Sequence, residues 1–296
     1  MEITFLGTSY AVPTKERNHT AIFISHEGQN ILIDCGEGTQ RQFRKANLNP
    51  QRLTHLLITH WHGDHILGIP GLMQTLSLHE YNRTLKIYGP PGIKRHMDEL
   101  SKVFLKDNKV RTEIHELGEA SFEDKGLVFK SFKMQHGVPC LAYSIEQKEK
   151  TKINMGKLKK IGLSTGPLIG ELQKGKDITF NGKSIKSKDI VFKEKGKKIS
   201  IILDTATNEN CIKAAKDADI LVCEATYLEE DKEKAREYGH MTSSQAGEVA
   251  KKAMAKSLLL THISQRYDFK KEKILKEAKK HFKNTKIAED LMKVEV

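Results

Sequence analysis

Within six residues, His60-Trp61-His62-Gly63-Asp64-His65 brings together three imidazoles and a carboxylate. Closed structural zinc sites usually spend cysteines. An all His/Asp set suits a catalytic ion that keeps one coordination position open for water. A lone histidine is ordinarily a core or surface residue, but four donor types spaced His-x-His-x-Asp-His point to metal binding. If Asp64 and His65 serve a second ion beside one held by His60 and His62, further donors must come from later in the chain. His136 follows the apolar run 127–134, Asp204 ends the run 199–203, and His262 ends the run 258–261. Each alone reads more simply as a satisfied structural polar residue. The same placement three times, a His or Asp at the C-terminal end of a buried strand, is the pattern of a shared site.

Those donors need strands to carry them. Apolar patterning predicts strands at 2–6, 21–25, 30–34, 54–58, 85–88, 111–117, 127–134, 141–146, 199–203, 220–223 and 257–260. Helical spacing predicts helices at 40–45, 66–78, 91–104, 209–216, 242–255 and 270–282. The metal motif therefore lies on a strand-to-helix turn. Early hairpins, then strand-helix repeats, and a second such series after residue 198 imply an α+β chain of two sheets face to face with helices outside. The helix at 270–282 is read as packing.

At 296 residues, with 38% hydrophobic content and a mean hydropathy of −0.51, the chain has enough length for a substantial core and no apolar run of membrane-spanning length. Its start shows no secretion signal. Cys35, Cys140, Cys211 and Cys223 are scattered through apolar contexts and read as reduced core residues, which favours a cytoplasmic protein without a membrane partner. The net charge of +12 is local. Between 147 and 198 stand fifteen lysines and no arginine against five acids, so this stretch supplies +10. Such an excess fits a polyanion, above all nucleic acid. The same stretch holds seven of the 21 glycines and few residues that could form a core. It is read as a flexible insertion in a single domain of residues 1–296, protruding on two extended strands with a small helical tip near 154–161.

Together, His60-x-His62-x-Asp64-His65, His136, Asp204 and His262 resemble the donor set of the metallo-β-lactamase superfamily. Pro13-Thr14-Lys15-Glu16-Arg17-Asn18, Leu32-Ile33-Asp34-Cys35-Gly36-Glu37-Gly38-Thr39-Gln40, the Gly-Pro insertion at 166–175, Glu224-Ala225-Thr226 and His240-Met241-Thr242 make the chain similar, nearly end to end, to the short form of the ribonuclease Z family. Cys223 stands where that family usually has His, and Met241 where it usually has Ser.

The resemblance implies an αβ/βα four-layer sandwich with a protruding basic arm. It also implies an endonuclease that removes 3′ trailers from precursor transfer RNA, leaving a 3′-hydroxyl on the transfer RNA and a 5′-phosphate on the trailer. It places one zinc on His60, His62 and His136, a second on Asp64, His65 and His262, and Asp204 between them; manganese or iron would suit the same donors. Asp64 would orient the attacking water, and a Glu224-His240 pair would protonate the leaving oxygen. Lys15, Arg17 and Asn18 would meet the substrate 3′ end. The arm, through Gly166, Pro167, Lys157, Lys159, Lys160 and Lys174, would grip the RNA far from the scissile bond and, in a homodimer, serve the other subunit. Asp34 is expected to brace the metal loop, and Gly36 and Gly38 to permit its turns. Two rivals remain: another hydrolase of the superfamily acting on a small phosphodiester or thioester, and a non-catalytic RNA-binding protein. An extended cationic insertion speaks against the first, and retention of every donor with Glu224 and His240 against the second.

Overall fold

The computed structural model describes residues 1–163 and 165–296. The chain divides into two compact units, one of residues 1–145 with 198–296 and one of residues 146–197.

In the first unit, two seven-stranded sheets are built in turn. The first is ordered Lys293–Glu295, Glu2–Gly7, Ala21–His26, Gln29–Ile33, His55–Leu57, Thr84–Gly89, Arg111–Glu116, antiparallel across its first four strands and parallel thereafter. The second is ordered Thr285–Ile287, Leu258–Thr261, Ile220–Glu224, Lys198–Ile202, Cys140–Gln147, Leu127–Met134, Ala120–Asp124, and its first four strands are parallel. Strand alternation sorts the side chains into three cores. Ile22, Ile24, Ile31 and Ile33 of the first sheet meet Ile199, Ile201 and Val222 of the second. Phe23, Leu32, Leu56 and Ile87 face the other way, against Phe43, Leu72 and Ile93 of helices Thr39–Lys45, Ile69–Leu78 and Ile93–Phe104. Leu221, Cys223 and Leu260 likewise cover Ala214, Val249 and Ile274 of helices Glu209–Ala215, Ser243–Lys252 and Lys271–His281. Central strands bury both faces, so they read as unbroken apolar runs. The expected four-layer sandwich is the observed one.

Several elements depart from expectation. The helix expected over 66–78 is two helices, Gly63–Ile66 and Ile69–Leu78, because the chain turns at Gly68 to donate its N–H to the Cys35 carbonyl. A Cβ at Gly68 would strike the Gly36 carbonyl oxygen. Asp64 and His65 thus sit inside a one-turn helix rather than ahead of a long one. The short strands Ala120–Asp124, Thr285–Ile287 and Lys293–Glu295 were not foreseen. Nor was helix Lys232–Glu237.

The second unit has a core, contrary to the expectation that little there could form one. Leu158, Leu163, Leu172, Ile178 and Ile190 are buried together. They come from helices Met155–Lys160 and Pro167–Gln173, the short helix Ser187–Ile190 and the hairpin Ile178–Phe180 with Lys183–Ile185. Two extended strands, Lys150–Ile153 and Val191–Glu194, pair antiparallel at its base. Among the described residues no helix is long and apolar enough to cross a membrane.

Candidate active site

The donors converge where strands of both sheets end. His60, His62, Asp64 and His65 follow strand His55–Leu57 of the first sheet; His136, Asp204 and His262 follow Leu127–Met134, Lys198–Ile202 and Leu258–Thr261 of the second. They form two groups, His60/His62/His136/Asp204 and Asp64/His65/Asp204/His262, and in each the donor atoms lie within 4.8 Å of one another. In the first, His62 Nδ1 is 3.1 Å from His60 Nε2 and 3.2 Å from His136 Nε2. In the second, His65 Nε2 is 3.2 Å from His262 Nε2 and 3.3 Å from Asp64 Oδ2. Asp204 belongs to both: Oδ2 lies 3.7 Å from His60 Nε2, and Oδ1 lies 3.3 Å from His65 Nε2 and 3.2 Å from His262 Nε2.

The rings of His60, His65, His136 and His262 are held by their other nitrogens, as metal-binding histidines are. The carboxylate of fully buried Asp34 takes the Thr59 N–H on Oδ1 and the Thr59 hydroxyl and His65 Nδ1 on Oδ2, at 2.7, 2.7 and 2.6 Å. His136 Nδ1 lies 3.0 Å from the Gly239 carbonyl, an acceptor only, so the hydrogen is on Nδ1 and the Nε2 lone pair faces inward. Thr226 Oγ1 meets His262 Nδ1 at 3.1 Å, and Thr59 Oγ1 meets His60 Nδ1 at 3.0 Å. Asp34 and His262 both hold left-handed backbone, φ 56° and 54°, a conformation that costs energy in a non-glycine residue and is concentrated at functional sites.

The electrostatics call for positive charge. Burial lowers the pKa of His60 and His136, which keeps their lone pairs free. At His65 burial acts the same way, but Asp204 and Asp34 outweigh it and hold the ring well above its usual range. Burial pushes Asp64 upward, yet hydrogen bonds with His262 and His65 keep it below the normal carboxylate range. Asp204 Oδ1 is buried with no hydrogen-bond partner among the described residues. Donor separations near 3.2 Å match the edge of a tetrahedron with bonds of about 2.0–2.1 Å. These residues fit divalent cations.

Beside this centre stands His240, whose Nδ1 is 3.2 Å from both Glu224 carboxylate oxygens and whose Nε2 is 3.9 Å from Asp204 Oδ2. Glu224 is itself fully buried and receives the Thr205 N–H and the Thr226 hydroxyl at 2.7 and 2.6 Å. Burial would lower the His240 pKa, but Glu224 outweighs it and raises the ring to about 9, making it a proton donor at neutral pH. Helix Ser243–Lys252 is capped by a Thr242–Gln245 capping box, so His240 is not spent as a cap. Cys223 and Met241 are fully buried in the outer core of the second sheet. Burial raises all four cysteine thiols, Cys35 to about 12 and Cys211 to about 11, which leaves no nucleophile among them.

Tyr10 escaped the sequence reading. Its ring packs edge-on against His240 and His262, with centroids 5.1 and 5.3 Å away. Burial, then Tyr227, push its phenol well above the ordinary range, so it stays a neutral hydroxyl. Thr226, bridging Glu224 and His262, was quoted in a motif without a role. Arg17 and Asn18 are both engaged within the fold. Arg17 is buried, with Nη2 at 2.5 Å from Asp268 Oδ1 and Nη1 at 2.6 Å from the Ile263 carbonyl. Asn18 donates from Nδ2 to the Glu37 carbonyl at 2.7 Å. Both brace the loops that carry the site, and only Lys15 of the three is exposed. Gly36 is needed for close approach, since a Cβ there would strike the Asp64 carbonyl; Gly38 has φ 79°.

In the second unit, Lys159 and Lys160 are exposed, and no carboxylate partner is found for them among the described residues. Lys157 Nζ donates to the Asp189 carbonyl at 2.7 Å, and Lys174 Nζ lies 3.3 Å from Glu171. Gly166, at φ 125°, precedes Pro167, the first residue of a helix.

Comparison with known proteins agrees with this geometry. The profile of the beta-lactamase superfamily domain matches residues 29–263, and the chain belongs to that metallo-hydrolase superfamily. Ribonuclease Z of Methanothermobacter thermautotrophicus is 40% identical over 298 residues, covering 100% of this chain and 97% of its own, and that of Bacillus cereus is 41% identical over 301 residues, covering 98% of each. The crystal structure of human tRNase Z, short form, superposes with a TM-score of 0.72 at 29% identity, covering 100% of this chain and 99% of that one. Within the superfamily, the chain is a member of the ribonuclease Z family.

Proposed function

We propose that the chain is the endoribonuclease that removes 3′ trailers from precursor transfer RNA, leaving a 3′-hydroxyl on the transfer RNA and a 5′-phosphate on the trailer. The carrying observation is Asp204, whose two oxygens face two separate groups of inward-turned donors while His240 stands 3.9 Å away. His60, His62, His136 and Asp204 would hold one zinc, and Asp64, His65, His262 and Asp204 a second. Bound there, such ions supply Lewis acidity, acidifying water and neutralising charge on the phosphodiester.

The chain's own residues do the rest. Asp64 accepts a hydrogen bond from the attacking water and aims it at phosphorus. As the new oxygen–phosphorus bond forms and the bond to the ribose 3′ oxygen breaks, His240 gives that oxygen its proton. Glu224 reaches no solvent; it is a positioning residue that holds the His240 ring by Nδ1 so that Nε2 points to the centre. Tyr10 walls the same side and keeps the ring from swinging.

The lysines of residues 147–198 support a nucleic acid substrate over a small ester. They act as an exosite, a flexible arm that holds the folded RNA by its phosphates without reading sequence, which suits an enzyme with many transfer RNA substrates. A homodimer, in which each arm serves the other subunit, and a cytoplasmic location complete the reading. The test is one assay with a 3′-extended transfer RNA, a small phosphodiester and a chelator control. Cleavage at the mature 3′ end that is lost with chelator and restored by zinc supports it. Turnover of the small ester alone refutes it.

A further inference from the structure

The loop that joins strands Glu2–Gly7 and Ala21–His26 passes through a narrow neck, and the carboxylate that closes this neck comes from the far end of the chain. Asp290 Oδ1 receives the Thr8 hydroxyl at 2.8 Å, on the outgoing limb, and Oδ2 receives the Asn18 N–H at 2.7 Å, on the returning one. Just beyond, the Ser9 N–H reaches the Asn18 carbonyl at 2.9 Å. Oδ2 also takes the side-chain amide of Gln42, in helix Thr39–Lys45, at 2.9 Å. We infer that Asp290 is a positioning residue for precursor cleavage: by closing the neck it fixes the loop of residues 8–18 beside the active centre, and so sets the preference for transfer RNA over a small phosphodiester. The inference rests on the proposed function and names a residue that serves it from outside the centre.

The neck has no slack. A Cβ at Gly7 would strike the His19 carbonyl oxygen. Nor can Asp290 drift, because its segment is tied to both sheets. The Ala288 N–H donates to the Leu260 carbonyl of the second sheet at 2.8 Å; in the first, the Leu291 N–H reaches the Phe5 carbonyl at 2.6 Å and the Phe5 N–H reaches the Met292 carbonyl at 3.0 Å. What the neck controls stands on the loop. Tyr10, two residues past Thr8, packs against His240 and His262. Lys15, at the outer end, is exposed and has no carboxylate partner among the described residues, which leaves a cation near the centre for an RNA phosphate. Thr8 and Asn18 are buried, so donors that lose Asp290 find little water and the two limbs must shift to satisfy them. A displacement of about 1 Å is enough to spoil a substrate contact. A small diester occupies only the centre and takes nothing from Lys15.

The test uses the zinc-loaded full chain with a 3′-extended transfer RNA and with bis(p-nitrophenyl) phosphate, whose leaving group departs without a proton. Asp290→Ala should lower the ratio of kcat/KM for the precursor to kcat/KM for the ester on the order of 10- to 100-fold, mainly through KM. Asp290→Asn should keep the ratio within a few-fold of wild type, because its carbonyl oxygen can take the Asn18 N–H while its NH2 donates to the Thr8 hydroxyl oxygen. Lys15→Ala should lower the ratio in the wild type and hardly at all in the Asp290→Ala background. Thr8→Val, which removes the donor of one limb only, should move the ratio the same way by less, and carries the test if Asp290→Ala does not fold. A residue that merely holds the fold together would cost both substrates alike, so an unchanged ratio would overturn the inference. Additive losses from Asp290→Ala and Lys15→Ala, or an Asn variant no better than Ala, would overturn it too. A wild type that hydrolyses the ester but cuts no precursor would refute the parent function, and this inference with it.

Discussion

Replacing Asp34 with Asn separates the bracing of the metal loop from its ligation. Asn keeps the shape of the side chain and an acceptor for the Thr59 N–H. Its NH2 replaces Oδ2, the oxygen that receives both the Thr59 hydroxyl and His65 Nδ1 at 2.7 and 2.6 Å. Two donors then face each other in a fully buried place. His65 escapes only by carrying its hydrogen on Nε2, the nitrogen 3.3 Å from Asp204 and 3.2 Å from His262. A cation must then displace that hydrogen before it can bind. Loss of an outer partner of this kind typically weakens metal binding 10- to 100-fold, or about 1.4–2.7 kcal/mol. The measurement is a zinc titration of the stripped protein against a chromophoric chelator at fixed pH, with the unfolding midpoint as a check on integrity. In the proposed two-ion site, the loss should fall on the position of His65 and His262, with the position of His60, His62 and His136 nearly unaffected. Unchanged affinity, or an equal loss at both positions, would refute the reasoning.

Other perturbations test other parts. His240→Ala should reduce precursor cleavage on the order of 10² to 10⁴-fold with RNA affinity unchanged in a gel-shift titration; equal loss of both would deny it the proton-donor role. Lys159→Ala and Lys160→Ala should each lower the slope of log affinity against log salt by about 1, and an unchanged slope in the double variant would take the second unit out of RNA contact. Gly68→Ala forces a methyl onto the Gly36 carbonyl and should cost about 1–3 kcal/mol in denaturant unfolding, with metal affinity falling too. His55, outside the site, lies between Tyr88 and Phe129, and burial, partly opposed by Asp124, lowers its pKa from 6.5 to about 4. Between these values the unfolded chain binds a proton that the folded one does not, so folding stability rises with pH there, by up to about 1.4 kcal/mol per unit, and is lost as pH falls towards 4. His55→Phe should flatten the unfolding free energy against pH in that window, and an unaltered profile would show that His55 is already charged.

The donor set was legible because its residues are clustered types at strand ends, where apolar runs stop at a His or Asp. Layering was legible for a related reason: runs such as Ile199 to Leu203 are apolar at every other position and mostly between, as strands buried on both faces must be. Contacts made by folding back were not. Lys293–Glu295 pairs with Glu2–Thr4 across the whole chain, and nothing local marks it. Arg17 reads from sequence only as a cation in a Pro-led loop; its partner Asp268 lies 251 positions away. The second unit's core was hidden by dilution, since Leu158, Leu163, Leu172, Ile178 and Ile190 are scattered among lysines and glycines. One signal there was available: Asn181-Gly182, with φ 49° and 72°, is the favoured two-residue hairpin turn between Phe180 and Lys183.

Because four of the seven donors follow a strand of the first sheet and three follow strands of the second, the chain leaves the ribosome with its centre half made. At about 5–20 residues per second, some 10–40 s separate the emergence of His65 from that of His262. Neither group of donors is complete before Asp204 emerges, and the second waits for His262. An unfinished chain therefore lacks a finished centre near the site of its own synthesis, and assembly of that centre is a late event in making the protein.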